Sequence, residues 1–174
     1  MEPSDADASL NVLLVHVWYW PHRGGGNQHV EHIARQLVQR GHKATVWCAD
    51  LPEHDEKQFV RDGVEVIRLP PKMVLAGIDP LVAIKKLNMD FDVVHLHDTL
   101  PILIRRSLKR ARKLGIPVVT TFHNDYIKTG MVAKSVKALR WVMQGRRTLN
   151  TSDARIALTP YYANHLKQRG VRDP

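Results

Sequence analysis

The chain has 174 residues, 44% hydrophobic and 25% charged, which excludes a disordered protein and fits one ordinary domain with a sizeable core. No apolar run approaches the roughly 18 residues of a membrane span, and the acidic opening MEPSDADAS lacks the basic-then-apolar layout of a signal peptide. The net charge of +9 is localised: residues 101–150 carry 12 Lys/Arg against the single acid Asp125, and the remainder carries 14 Lys/Arg against 16 Asp/Glu.

Residues 1–9 read as an acidic, disordered tail, and residues 10–174 as the domain. VLLVHV (12–17) is a short apolar run, the pattern of a strand buried on both faces. Val30, Ile33, Ala34, Leu37 and Val38 then recur at helical spacing, and Gly41 stops that helix. ATVWCA (44–49) is a second strand, in which the single cysteine, Cys48, reads as a packing thiol of a reducing cytosol. The polar stretch LPEHDEKQF reads as a loop, VEVIRL (64–69) as a third strand, and Asp79-Pro80 as the N-cap and N1 of a short helix to about Lys86.

FDVVHLH (91–97) and IPVVTTF (116–122) are the fourth and fifth strands, separated by a helix from Pro101 to Leu114 that Gly115 closes. Residues 131–149 read as a long helical region and ARIALT (154–159) as the sixth strand. Thr159-Pro160 caps a final helix that ends at Gly170. This alternation predicts an α/β fold: a Rossmann-like, doubly wound, mainly parallel sheet with helices on both faces. Ligands of such sheets sit beyond the carboxyl ends of the strands.

Three consecutive glycines, Gly24, Gly25 and Gly26, lie between the first strand and the first helix. A glycine turn opening a helix offers backbone N–H groups and the positive end of the helix dipole to an anion. The dinucleotide fingerprint G-x-G-x-x-G fails, because from Gly24 its third glycine falls on His29; no Gly-Lys-Ser/Thr follows, which excludes a P-loop. A dinucleotide-dependent enzyme and a non-catalytic anion-binding or scaffolding domain stay open as other readings.

Four strings in order, PHRGGGNQHVEHIARQLVQRGHKATV, FDVVHLHDTLP, GIPVVTTFHNDY and RIALTPYYANHLKQRGV, resemble the amino-terminal domain of glycosyltransferase family 4. The resemblance spans about Asn11 to Val171. It implies half of a GT-B fold, and a retaining, nucleotide-sugar-dependent transferase that needs no metal or other cofactor. Gly24, Gly25 and Gly26 inherit contact with the donor phosphate or the acceptor. Asn27 has two roles open, holding a polar acceptor or capping the helix. His123 inherits the catalytic position beside the transferred sugar, with His97, Asp98, Asn124, Asp125 and Tyr126 lining the cleft. His95, His97 and Asp98 have the residue types of metal ligands, but no matching Cys or second His pair accompanies them in sequence, and His95 reads as a hydrogen-bonded core residue.

Glutamates eight positions apart, a mark of the family's donor domain, do not occur among Glu2, Glu31, Glu53, Glu56 and Glu65. The donor-binding half is therefore expected to lie outside these residues, in the rest of an excised protein or in a separate polypeptide, and this segment alone is expected not to turn over. The basic segment puts Ile104, Leu108, Ala111 and Leu114 inward on its first helix and Val132, Val136, Leu139 and Met143 inward on its second. Arg105, Arg106, Lys109, Arg110, Lys113, Lys137 and Arg140, with Trp141, are then candidates to meet an anionic membrane surface. Nucleic acid is not expected, for want of a recognised module or an aromatic platform. The expected partners are a nucleotide-sugar donor and a sugar or lipid-linked acceptor. The expected location is the cytoplasm, peripheral at the membrane's cytoplasmic face.

Overall fold

A computed structural model describes residues 8–75, 79–84, 88–123 and 139–174. Six parallel strands build the sheet: β1 (Asn11–Val15), β2 (Lys43–Ala49), β4 (Val64–Leu69), β7 (Val93–His97), β8 (Val118–Phe122) and β9 (Ala154–Ala157). The edge strand β3 (Gln58–Arg61) pairs antiparallel with β4, giving the order β3-β4-β2-β1-β7-β8-β9. The predicted Rossmann-like sheet is therefore the observed one. β3 occupies the end of the stretch predicted as a loop, because Phe59 packs against the core cluster that includes Val46, Val64 and Val66.

Alternation along β1 sends its side chains to two cores. Val12 and Leu14 pack with Val30 and Ala34 of α1 (Gly25–Gln39), whereas Leu13 and Val15 pack with Leu103, Ile104, Leu108 and Ala111 of α2 (Ile102–Lys113). A helix on each face makes the sheet doubly wound. Its strand order reverses between β1 and β7, which places the topological switch point there. Gly41 ends α1 at φ +85°, a conformation that favours glycine. Thr159 caps α4 (Pro160–Gln168) as predicted, its hydroxyl accepting from the Tyr162 N–H at 3.2 Å.

Three expectations are corrected. Asp79-Pro80 starts no helix: Asp79–Val82 is strand β6, paired antiparallel with β5 (Pro71–Leu75). Asp79 caps a different helix, its carboxylate accepting from the Ile102 N–H of α2 at 2.9 Å and from Arg140 at 2.8 Å. Leu114 is exposed, because the buried stripe of α2 runs through Leu103, Ile104, Ser107, Leu108 and Ala111.

In the third case, the helical region after β8 turns the opposite face inward. Leu139 and Met143 are exposed, while Trp141 is 4% exposed and packs edge-on against Phe122. Residues Trp141–Gly145 form a π-helical turn, followed by α3 (Arg146–Thr151). Gly145 is obligatory beneath the indole, since a Cβ there would sit 2.6 Å from the Trp141 ring. Val132, Val136 and Lys137, like residues 1–7, lie outside the described residues.

Candidate active site: a histidine cluster at the switch point

Four histidines meet at the carboxyl ends of the central strands. His16 follows β1, His97 ends β7, His123 follows β8, and His29 lies in the first turns of α1. The His123 ring centroid stands 5.9 Å from that of His16, 5.1 Å from that of His29 and 5.5 Å from that of His97. α1 brings Gly26 and His29 to the cluster together, because positions three apart share a helix face.

The hydrogen bonds fix where the protons sit. His16 Nδ1 accepts from the Trp18 N–H at 3.1 Å, so the proton of its neutral ring is on Nε2. His97 Nδ1 and His123 Nε2 are 3.3 Å apart, and His97 Nε2, fully buried, has no partner. An orphaned lone pair costs less than an orphaned N–H. His97 therefore keeps its proton on Nδ1 and donates to His123, whose own proton then lies on Nδ1.

Both free N–H groups face Gly26. A Cβ built on Gly26 would lie 3.0 Å from His16 Nε2 and 3.9 Å from His123 Nδ1. Glycine is needed here for space rather than for an unusual φ. The first-turn amides of α1, which a helix leaves without intrahelical partners, open at the same place. The assembled wall offers two imidazole N–H groups and a helix amino terminus to one ligand.

Burial keeps the rings neutral. It is the main cause that lowers the pKa of His16 and of His123 to about 4, with the neighbouring imidazoles adding to it. His97 is held well below 6.5, and His29 is lowered, for the same leading reason. A neutral imidazole of such low basicity is a hydrogen-bond donor at pH 7 and a poor general base.

Other predicted site residues fall differently. Gly24 is the N-cap of α1 and Gly25 its first residue, so Asn27 lies inside the helix and does not cap it. Asn27 is buried, and its amide donates to the His22 carbonyl at 3.2 Å, pinning the turn before the glycines. The Asp98 carboxylate accepts from the N–H groups of Thr99 and Leu100, and burial raises its pKa. Its φ of +108° marks a strained strand end. His95 is a hydrogen-bonded core residue, its Nε2 2.8 Å from Thr121 Oγ1. Asn124, Asp125 and Tyr126 lie outside the described residues.

Among the membrane candidates, Trp141 is buried, and the Arg169 guanidinium covers its ring at 4.2 Å. Arg140 is tied to Asp79 and to the Leu100 carbonyl, and Arg106 to the Val82 carbonyl, so these two serve the fold. Arg105 and Lys109 instead line a cleft with Arg112, Arg147 and Met143, between α2 and the π-helical turn with α3. Lys113 is exposed at the end of α2, and Arg110 is half-buried.

His16 and His29 are not evident from the sequence. The run VLLVHV extends the first strand through Val17 and hides His16 inside it. The rule that ligands gather beyond strand ends exposes it only once the strand stops at Val15.

The chain resembles known proteins in sequence and, in one case, in fold. The chain is 26% identical over 125 residues to a phosphatidylinositol N-acetylglucosaminyltransferase subunit from Arabidopsis thaliana, covering 67% of this chain and 28% of that protein. The Homo sapiens protein of the same name is 22% identical over 122 residues, covering 66% and 25%. An uncharacterised 42.6 kDa protein of the cps region of Klebsiella pneumoniae is 34% identical over 71 residues, 40% of this chain and 18% of that one. The chain thus spans about a quarter of the length of the first two relatives. Sucrose-phosphate synthase from Thermosynechococcus elongatus shares the fold, with a TM-score of 0.66 at 13% identity over 95% of this chain and 46% of its own. The model of Glycosyltransferase Family 4 matches residues 23–174, which take in the glycine turn, His29, His97 and His123 but not His16, and the chain belongs to that family.

Proposed function

We propose that these residues form the acceptor-side half of a retaining GT-B glycosyltransferase, which transfers a sugar from a nucleotide-sugar donor without requiring a metal. The observation that carries this reading is the convergence of His16 Nε2–H and His123 Nδ1–H on Gly26 at the amino end of α1. In the reaction, the bond from the anomeric carbon to the phosphate oxygen breaks, and its electron pair goes to the leaving diphosphate. The acceptor hydroxyl attacks from the same face and passes its proton to that phosphate. The glycine-turn amides and His16 meet the anionic oxygen or the acceptor, and His123 holds a sugar hydroxyl. These neutral, preorganised donors stabilise charge as it develops. The donor nucleotide is assigned to a second domain, so the 174 residues alone are expected not to turn over.

The acceptor is proposed to be carried on a lipid or a glycan. Two relatives whose names specify phosphatidylinositol support the lipid. Peripheral contact with a cytoplasmic leaflet is supported by Arg105, Lys109, Arg112 and Arg147 around a cleft beside exposed Val142 and Met143. Each basic side chain near an anionic surface contributes about 1 kcal/mol. Among the described residues, no helix is long and apolar enough to cross a membrane. The test is to incubate membranes from cells expressing the whole gene with radiolabelled nucleotide sugars. Label entering the lipid-extractable or glycan fraction supports transfer, and no label from any donor contradicts it.

A further inference from the structure

Three of the clustered histidines have a second capacity. One ring nitrogen each of His29, His97 and His123 lies within 4.8 Å of the other two. The ring centroids form a nearly equilateral triangle with sides of 5.1, 5.5 and 5.8 Å. With zinc–nitrogen bonds of about 2.0–2.1 Å and ring centres about 1.1 Å further out, tetrahedral geometry sets centroids about 5.2 Å and nitrogens about 3.3 Å apart. His97 Nδ1 and His123 Nε2 already stand at 3.3 Å. His29 is half-buried on its helix, its ring already beside the other two.

We propose that His29, His97 and His123 form a binding site for a borderline divalent cation of the zinc class. Three neutral imidazoles suit zinc, cobalt or nickel, whereas magnesium and calcium demand oxygen ligands. Three ligands leave the fourth coordination position open. On binding, His97 moves its proton from Nδ1 to Nε2 and the His97–His123 hydrogen bond is replaced by two metal–nitrogen bonds. The cation takes His123 Nε2, so the Nδ1–H that faces Gly26 stays available to a ligand. The cation site does not rest on the proposed transferase reading.

The experiment titrates the untagged, chelator-stripped chain with Co2+ and follows the visible d–d band of nitrogen-ligated tetrahedral cobalt. One equivalent is expected to bind, to be displaced by Zn2+ and to be unaffected by excess Mg2+. His29→Ala and His97→Ala should each weaken binding at least about tenfold, while His32→Ala, on the exposed face of the same helix, should not. His97 is buried, so if its variant misfolds by circular dichroism, His29→Ala decides. Absence of the band, or wild-type affinity in His29→Ala, overturns the proposal.

Discussion

His97 Nδ1 donates to His123 Nε2 across 3.3 Å, joining the ends of two neighbouring parallel strands through a pair of uncharged rings. The pair stays uncharged only while the cluster stays folded. His16, His95 and His123 have folded-state pKa values of about 4 against 6.5 when exposed, and burial is the main cause. The unfolded chain therefore binds more protons than the folded one between pH 6.5 and 4. Stability is fully present above about pH 6.5 and is lost as the pH falls towards 4. Asp98, raised above 3.8 by burial, opposes this with a single group. The urea midpoint should drop between pH 7 and pH 5 by the equivalent of a few kcal/mol. A flat profile across that window would contradict neutral burial of the cluster.

Adjacent glycines should respond oppositely to the same substitution. Gly25→Ala meets nothing within 4 Å and gains helix propensity, so it should stabilise the chain by about 0.5–1 kcal/mol. Gly26→Ala places a methyl 3.0 Å from His16 Nε2, on a ring that its bond to Trp18 keeps from yielding. Its net effect should be a loss of about 1 kcal/mol. Thermal unfolding of the two variants checks the sign of each.

The carboxylate of Asp79 is the long-range cap of α2 and the partner of Arg140. Asp79→Ala should cost about 2 kcal/mol, measured by chemical denaturation, because it leaves a helix-terminal N–H without its acceptor and a half-buried guanidinium with the Leu100 carbonyl but no carboxylate. A loss below about 0.5 kcal/mol would place the cap elsewhere.

The basic segment yields a paired test at neighbouring positions. Trp141→Ala should destabilise the chain by about 3–5 kcal/mol, as expected for a buried indole. Met143→Ser, at a side chain 63% exposed, should leave stability unchanged yet reduce co-sedimentation with anionic vesicles. Equal sedimentation of the parent chain with anionic and neutral vesicles would remove the membrane reading.

Much of this architecture is legible in the sequence because the physics is local. Apolar runs such as LLV and TVW specify strands buried on both faces, and Gly41 marks a helix end where it alone fits readily. Long-range effects are harder to read. Asp-Pro is an equally good signal for a helix start, and only the packing of the β5–β6 hairpin beside α2 turns Asp79 into another helix's cap. Around Leu139, Trp141, Val142 and Met143, apolar residues lie on both faces of the helix, so the spacing that points Leu139 and Met143 inward does not exclude the opposite face. The contact of Trp141 with Phe122 decides it. His123 is legible through its motif, but the cluster draws on four elements, and no local pattern assembles His16, His29, His97 and His123.

The most direct measurement compares His123→Ala with the parent in steady-state sugar transfer by the protein encoded by the whole gene. Loss of one preorganised donor beside the reacting sugar should lower kcat about 100-fold, with circular dichroism and the donor KM little changed. Turnover within about threefold of the parent would contradict the assignment of this wall to the transfer step.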